Sequence, residues 1–168
     1  SSAASDVYKR QLLNPANANI QLIGVYSYEW MLPIAKCLKA LKIKKAWVVH
    51  GQDGLDEITT TTKTDVIEVN NNKIKRFTID PAKLKLKKSK LSYLKGKDSS
   101  YNAKQITNLF SGDLKNIYYK EIVLLNTAAI LVLTNKCNNL KQGIEIAEKN
   151  IKNENALKKL NLLRKLTN

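Results

Sequence analysis

Histidine is almost absent: His50 is the only one in 168 residues, so no site built from two imidazoles is available. Cysteine is nearly as scarce. Cys37 and Cys137 stand far apart, each within an apolar helical pattern, which excludes a disulfide framework and a thiolate metal cage. No apolar run reaches the length of a membrane span, and no charged start followed by an apolar stretch marks a secretory leader. These absences predict a reduced, cytoplasmic protein with no membrane partner. Acidic residues are also few, 14 against 29 Lys plus Arg, for a net charge of +15.

Arg10, Arg76 and Arg164 are the only arginines, so lysine carries nearly all of that charge. Lysine and asparagine together exceed a quarter of the chain and are spread along its length. A balance this basic would suit nucleic acid or an anionic surface. Its diffuse spread fits a compositional bias of the source genome better than a binding patch. An apolar fraction of 43% is enough for the core of one domain.

The first eleven residues, from Ser1 to Gln11, have no helical or strand period and no initiating Met. Residues 1–11 are expected to be a non-native or disordered leader, outside the fold. After the turn-rich lead-in Leu12-Leu13-Asn14-Pro15-Ala16-Asn17, Ile20 to Tyr26 reads as a short buried strand. Ser27 is a candidate N-cap, with Glu29 suited to the helix dipole. Met31, Ile34, Ala35, Leu38 and Leu41 then form a helical stripe, with Lys36, Lys39 and Lys42 turned outward. Pro33 must lie in the first turns, or the helix starts later.

Ala46-Trp47-Val48-Val49-His50 has the pattern of a strand buried on both faces of a parallel sheet, which completes a βαβ unit. Asp65–Val69 and Ile74–Ile79 alternate around Asn70-Asn71-Asn72-Lys73, a hairpin signal. Residues 80–98 read as a Lys-rich surface loop or short helix. Helices are expected from Tyr101 to Phe110, capped by Ser99 or Ser100, and from Ile117 to Leu133, apolar nearly all round and therefore central. Two more follow, Leu140 to Ile151 and Ala156 to Leu166.

Chemistry concentrates after the second strand, where open α/β sheets gather their ligands. There Asp56 and Glu57 stand between Gly51, Gly54 and a run of four threonines. Hard divalent ions such as magnesium take one or two carboxylates together with substrate phosphates. Thr59, Thr60, Thr61 and Thr62 are candidate hydroxyl donors to phosphate, or merely residues of high β propensity. His50 is a candidate acid or donor, though a lone histidine ending a strand is more often structural.

His50-Gly51-Gln52-Asp53-Gly54-Leu55-Asp56-Glu57-Ile58-Thr59-Thr60-Thr61 closely resembles the motif after a central strand in the anthranilate phosphoribosyltransferase family. Leu12-Leu13-Asn14-Pro15-Ala16 is similar to that family's "GPLLNPA", and Gln21-Leu22-Ile23-Gly24-Val25-Tyr26 to its "QxxGVY". Leu94-Lys95-Gly96-Lys97-Asp98 with Asn102-Ala103 resembles "LxGGDxxxNA". Leu124-Leu125-Asn126-Thr127-Ala128-Ala129 resembles "LLNAAA", and Gly143 to Ala147 resembles "GVxxA".

The resemblance implies an α/β fold over residues 12–168: the carboxyl-terminal part of a nucleoside-phosphorylase-like phosphoribosyltransferase domain, mainly parallel sheet flanked by helices, with a β-hairpin. It implies transfer of 5-phosphoribose from phosphoribosyl pyrophosphate to anthranilate in tryptophan biosynthesis, with magnesium as cofactor held by Asp56 and Glu57. A homodimer is implied for the full-length enzyme, and no covalent nucleophile is required. The family's glycine-rich phosphate loop and helical N-terminal domain have no counterpart, so the chain is expected to be a fragment inactive alone, with its substrate-binding residues upstream of Leu12. The anthranilate-binding Arg of the family falls by spacing on Ala3, and Arg10 is no substitute. Thr62 and Lys63 replace the family's Gly-Pro. The alternative is a nucleic-acid-binding relative of the same fold, against which the acid pair argues.

Overall fold

A computed structural model describes residues 18–167. The leader at 1–11 and the lead-in at 12–17 lie outside the described residues. Four strands form one sheet in the order β1 (Ile20–Gly24), β2 (Lys45–Gly51), β3 (Thr64–Asn70) and β4 (Lys73–Ile79). Helix α1 (Tyr28–Ala40) connects β1 to β2, which pair in parallel from Ile20↔Lys45 to Gly24↔Val49. The expected βαβ unit is present.

The expectation of a mainly parallel sheet is corrected. Among the described residues β1–β2 is the one parallel pair, whereas β2–β3 and β3–β4 run antiparallel. Loop 52–63 turns the chain straight back along β2 instead of crossing the sheet as a helix, so β3 must enter in the opposite direction. Asn71 and Asn72, both at positive φ (45° and 65°), make the hairpin turn as their run predicts.

Alternating side chains of β2 feed two cores. Ala46 and Val48 pack with Met31, Ile34, Ala35 and Leu38 of α1. Trp47 and Val49 face the other way, onto Leu125, Ala129 and Leu133 of the long helix that follows the hairpin region. The sheet is thus flanked by helices on both faces. Lys73, Lys75 and Arg76 are exposed on β4, the charged blunting expected of an edge strand.

Residues 80–98 contain a short 3-10 turn (Pro81–Leu84) and the one-turn helix α2 (Leu91–Leu94). Helix α3 (Ser99–Ser111) is capped by Asp98, whose carboxylate accepts the Tyr101 N–H at 2.8 Å, and not by Ser99 or Ser100. An acidic residue at the cap also suits the helix dipole, which a serine does not exploit. Helix α4 (Ile117–Leu133) is the central helix foreseen, and α5 (Leu140–Lys152) and α6 (Asn155–Thr167) follow.

Three local expectations are corrected. Ser27 takes the N-cap position of α1 in extended conformation, but its hydroxyl makes no capping bond. Leu41 is 51% exposed, because α1 ends at Ala40 and Lys42 turns at φ 57° before the stripe can continue. Cys137 lies between α4 and α5, not within a helix.

Candidate metal centre

The loop leaving β2 begins beside the carboxyl end of β1 and is closed largely by its own backbone. Gln52 N–H donates to the Lys63 carbonyl at 3.0 Å, Gly51 N–H to Leu55 at 2.8 Å, and Gly54 N–H to Gly51 at 2.8 Å. Closure at Lys63 is achieved with Thr62 and Lys63 at the position where the resemblance led to Gly-Pro being expected. Gly54 sits at φ 93°, a left-handed conformation that favours glycine.

Asp53 gathers the far side of the loop. Its Oδ1 accepts the Leu55 N–H at 3.2 Å, while Oδ2 accepts the Thr59 hydroxyl at 2.7 Å and also the Thr61 hydroxyl. Burial pushes this carboxyl up, but the bonds from Thr59, Thr61 and Leu55 outweigh it and hold Asp53 below its ordinary value. The threonines therefore act inward. Thr64 Oγ1 accepts the Thr59 N–H at 3.0 Å, and Thr59 Oγ1 accepts the Thr61 N–H at 3.0 Å. Thr60 is fully buried, and its hydroxyl meets no partner among the described residues. The expectation of Thr59–Thr62 as phosphate donors is corrected for Thr59 and Thr61, whose hydroxyls are committed to Asp53.

Asp56 and Glu57 project from the exposed tip of this loop. Below them the backbone is pinned on both sides. The Asp56 carbonyl lies directly on Gly24 at the end of β1, where an added Cβ would come within 1.5 Å of its oxygen. Ile58 is fully buried, its N–H donates to Asn126 Oδ1 at 3.1 Å, and its carbonyl accepts from Asn126 Nδ2 at 2.8 Å. Partial burial, and then the charges of Asp56 and Asp53, raise the Glu57 carboxyl above its usual value. Burial and the Glu57 charge likewise raise the Tyr119 hydroxyl on α4. Among the described residues no three His, Cys, Asp or Glu side chains converge into a metal cage.

His50 Nδ1 lies 2.8 Å from the Val25 carbonyl. A carbonyl can only accept, so Nδ1 carries the hydrogen and the ring ties β2 to the end of β1. This is the structural role expected of a lone histidine.

Sequence reasoning singled out the acid pair but missed its supports. Gly24 and Asn126 both lie inside recognisable motifs, "QxxGVY" and "LLNAAA", and that was the available signal. The "LxGGDxxxNA" stretch is a helix start: Asn102 both accepts from Lys97 N–H (3.1 Å) and donates to its carbonyl (3.0 Å).

Residues 11–157 match the "Glycosyl transferase family, a/b domain". The chain is 41% identical over 157 residues to anthranilate phosphoribosyltransferase of Mesorhizobium japonicum, covering 94% of this chain and 46% of that protein. It is 44% identical over 136 residues to the enzyme of the same name from Azospirillum brasilense, covering 81% and 38%. Among solved structures, anthranilate phosphoribosyltransferase from Saccharomyces cerevisiae in complex with PRPP and Mg matches with a TM-score of 0.78 at 29% identity, covering 84% of this chain and 41% of that one. The Thermus thermophilus enzyme matches with a TM-score of 0.70 at 30% identity, covering 80% and 39%.

The fold and the acid loop define a glycosyl transferase α/β domain. The chain belongs to that glycosyl transferase family, and the two relatives named above are anthranilate phosphoribosyltransferases. It spans less than half the length of those curated relatives. The nucleic-acid alternative finds no support in them. Tyr93, the one aromatic among the lysines of residues 81–98, is stacked on Tyr118 with ring centroids 4.7 Å apart. No helix among the described residues is long and apolar enough to cross a membrane.

Proposed function

We propose that this chain is the carboxyl-terminal portion of an anthranilate phosphoribosyltransferase, which moves 5-phosphoribose from phosphoribosyl pyrophosphate to the amine of anthranilate. Asp56 and Glu57 are the proposed magnesium ligands. The observation that carries this reading is the Gly51–Lys63 loop: two adjacent carboxylates at an exposed tip, on a backbone pinned by Gly24 and Asn126.

The donor set suits magnesium. Two hard carboxylate oxygens are offered without a full protein cage, and magnesium keeps waters and substrate phosphates in its remaining positions. Burial first, and then repulsion from Asp56 and Asp53, raises Glu57, and a nearby cation would relieve the repulsive part. Magnesium held by Asp56 and Glu57 would supply positive charge to offset the charge developing on a departing pyrophosphate. The chain's own residues hold the two carboxylates in place beforehand, so little reorganisation is needed as charge develops. Asp53, saturated by Thr59, Thr61 and Leu55, shapes the loop and is no ligand in this reading. By family resemblance the full-length enzyme acts as a homodimer.

The test joins this chain to the upstream half of the Mesorhizobium japonicum relative and follows the loss of anthranilate fluorescence with phosphoribosyl pyrophosphate present. Magnesium-dependent consumption that stops with a chelator is expected, and the 168-residue chain by itself should show none. A soluble hybrid with no transfer at any magnesium concentration contradicts the reading.

A further inference from the structure

We propose that Asn126 is a positioning residue for the carboxylate pair, acting through the backbone of Ile58; the inference rests on the metal reading of Asp56 and Glu57. The direction in which the Glu57 side chain leaves the loop is set by the two peptide planes that flank it. The Asp56 carbonyl belongs to the plane before Glu57 and is seated against Gly24. The Ile58 N–H belongs to the plane after Glu57 and is held by Asn126 Oδ1 at 3.1 Å. Both soft torsions of Glu57 are thereby constrained, one by contact with β1 and the other by a hydrogen bond from α4.

Asn126 is also fully engaged as a donor. Its Nδ2 donates to the Ile58 carbonyl at 2.8 Å and to the Ile122 carbonyl, one helical turn earlier, at 3.0 Å. The bond to Ile122 fixes the rotamer, and the Ile58 side chain is buried against Leu125 and Ala129 of the same helix. An amide is the one group of this size that accepts from Ile58 N–H and donates to Ile58 C=O at once. Asn126 therefore aims the pair without touching the ion.

The experiment titrates the 168-residue chain with manganese(II), reading free ion by electron paramagnetic resonance well below the unfolding temperature. Four proteins are compared: the parent, the double variant Asp56→Asn/Glu57→Gln, Asn126→Ala and Asn126→Asp. Removing an outer group that orients metal ligands weakens affinity by about tenfold or more, and Asn126→Ala should lose that much. Asn126→Asp separates aim from charge. It keeps an acceptor for Ile58 N–H, loses both donated bonds and adds a negative charge beside the loop. Simple electrostatic attraction then predicts tighter manganese binding, whereas positioning predicts weaker binding.

Weaker binding by Asn126→Asp supports the proposal even where Asn126→Ala does not fold. Unchanged or tighter binding by a folded Asn126→Asp overturns it while leaving the metal reading intact. A parent that binds manganese no better than the double variant overturns the metal reading itself, and this inference with it.

Discussion

Gly24 is the residue on which the acid loop rests. The methyl of Gly24→Ala would enter within 1.5 Å of the Asp56 carbonyl oxygen, a backbone atom that no rotamer change can move aside. The loop must lift off β1. Overpacking of this kind costs about 1–3 kcal/mol, so the variant should show a lower urea midpoint than the parent. An unchanged midpoint would mean that the loop does not rest on β1. The placing of Asp56 and Glu57 in a loop after the second strand and a structural contact for His50 were legible in the sequence, because each is a local pattern of residue types. Asn126 was not, since its partner Ile58 is 68 residues away and no periodicity encodes that bond. The threonines were misleading for a similar reason. The hydroxyls of Thr59 and Thr61 are spoken for by Asp53, which only the closed loop brings within reach.

The elements were mostly legible, because apolar alternation and three- to four-residue steps survive in Ala46–His50, the hairpin and α4. Pairing direction was not, because β3 reads the same whether it runs with β2 or against it. Where α4 crosses α5 the spacing is set by Gly143, and a Cβ there would lie 2.7 Å from Ala128 Cβ and 2.8 Å from its Cα. Gly143→Ala brings two opposed effects. Alanine favours a helix by about 1 kcal/mol over glycine, but the short side chain and backbone of Ala128 cannot swing away. The clash should win, lowering thermal stability; a rise in melting temperature would show that the helices separate freely.

The same helix pair carries the Lys120–Glu148 ion pair, at 2.8 Å, and this bond from Lys120 is the main reason the Glu148 carboxyl lies below its ordinary value. A depressed carboxyl adds stability above its unfolded pKa and loses it as pH falls through the folded one. Both side chains are partly exposed, at 25% and 36%, so the pair contributes only about 0.5 kcal/mol. Glu148→Gln should therefore be slightly less stable than the parent at neutral pH. The difference should vanish as pH drops below the ordinary glutamate range of about 4.3. Denaturant midpoints measured for both proteins from pH 7 to 3 check the sign.

For the molecule as a whole, the +15 charge is the most conspicuous number and the least informative. Lysines lie along the entire chain, whereas the proposed chemistry is confined to the acid tip of one loop. Turnover against magnesium concentration, measured in the hybrid with the Mesorhizobium japonicum upstream half, tests this most directly. Asp56→Asn and Glu57→Gln remove charge that repels polyanions, so a protein working by bulk positive charge would be unharmed by either. The account predicts that each variant turns over more slowly, with part of the loss recovered as magnesium is raised. Variants that match the parent at every magnesium concentration would contradict it.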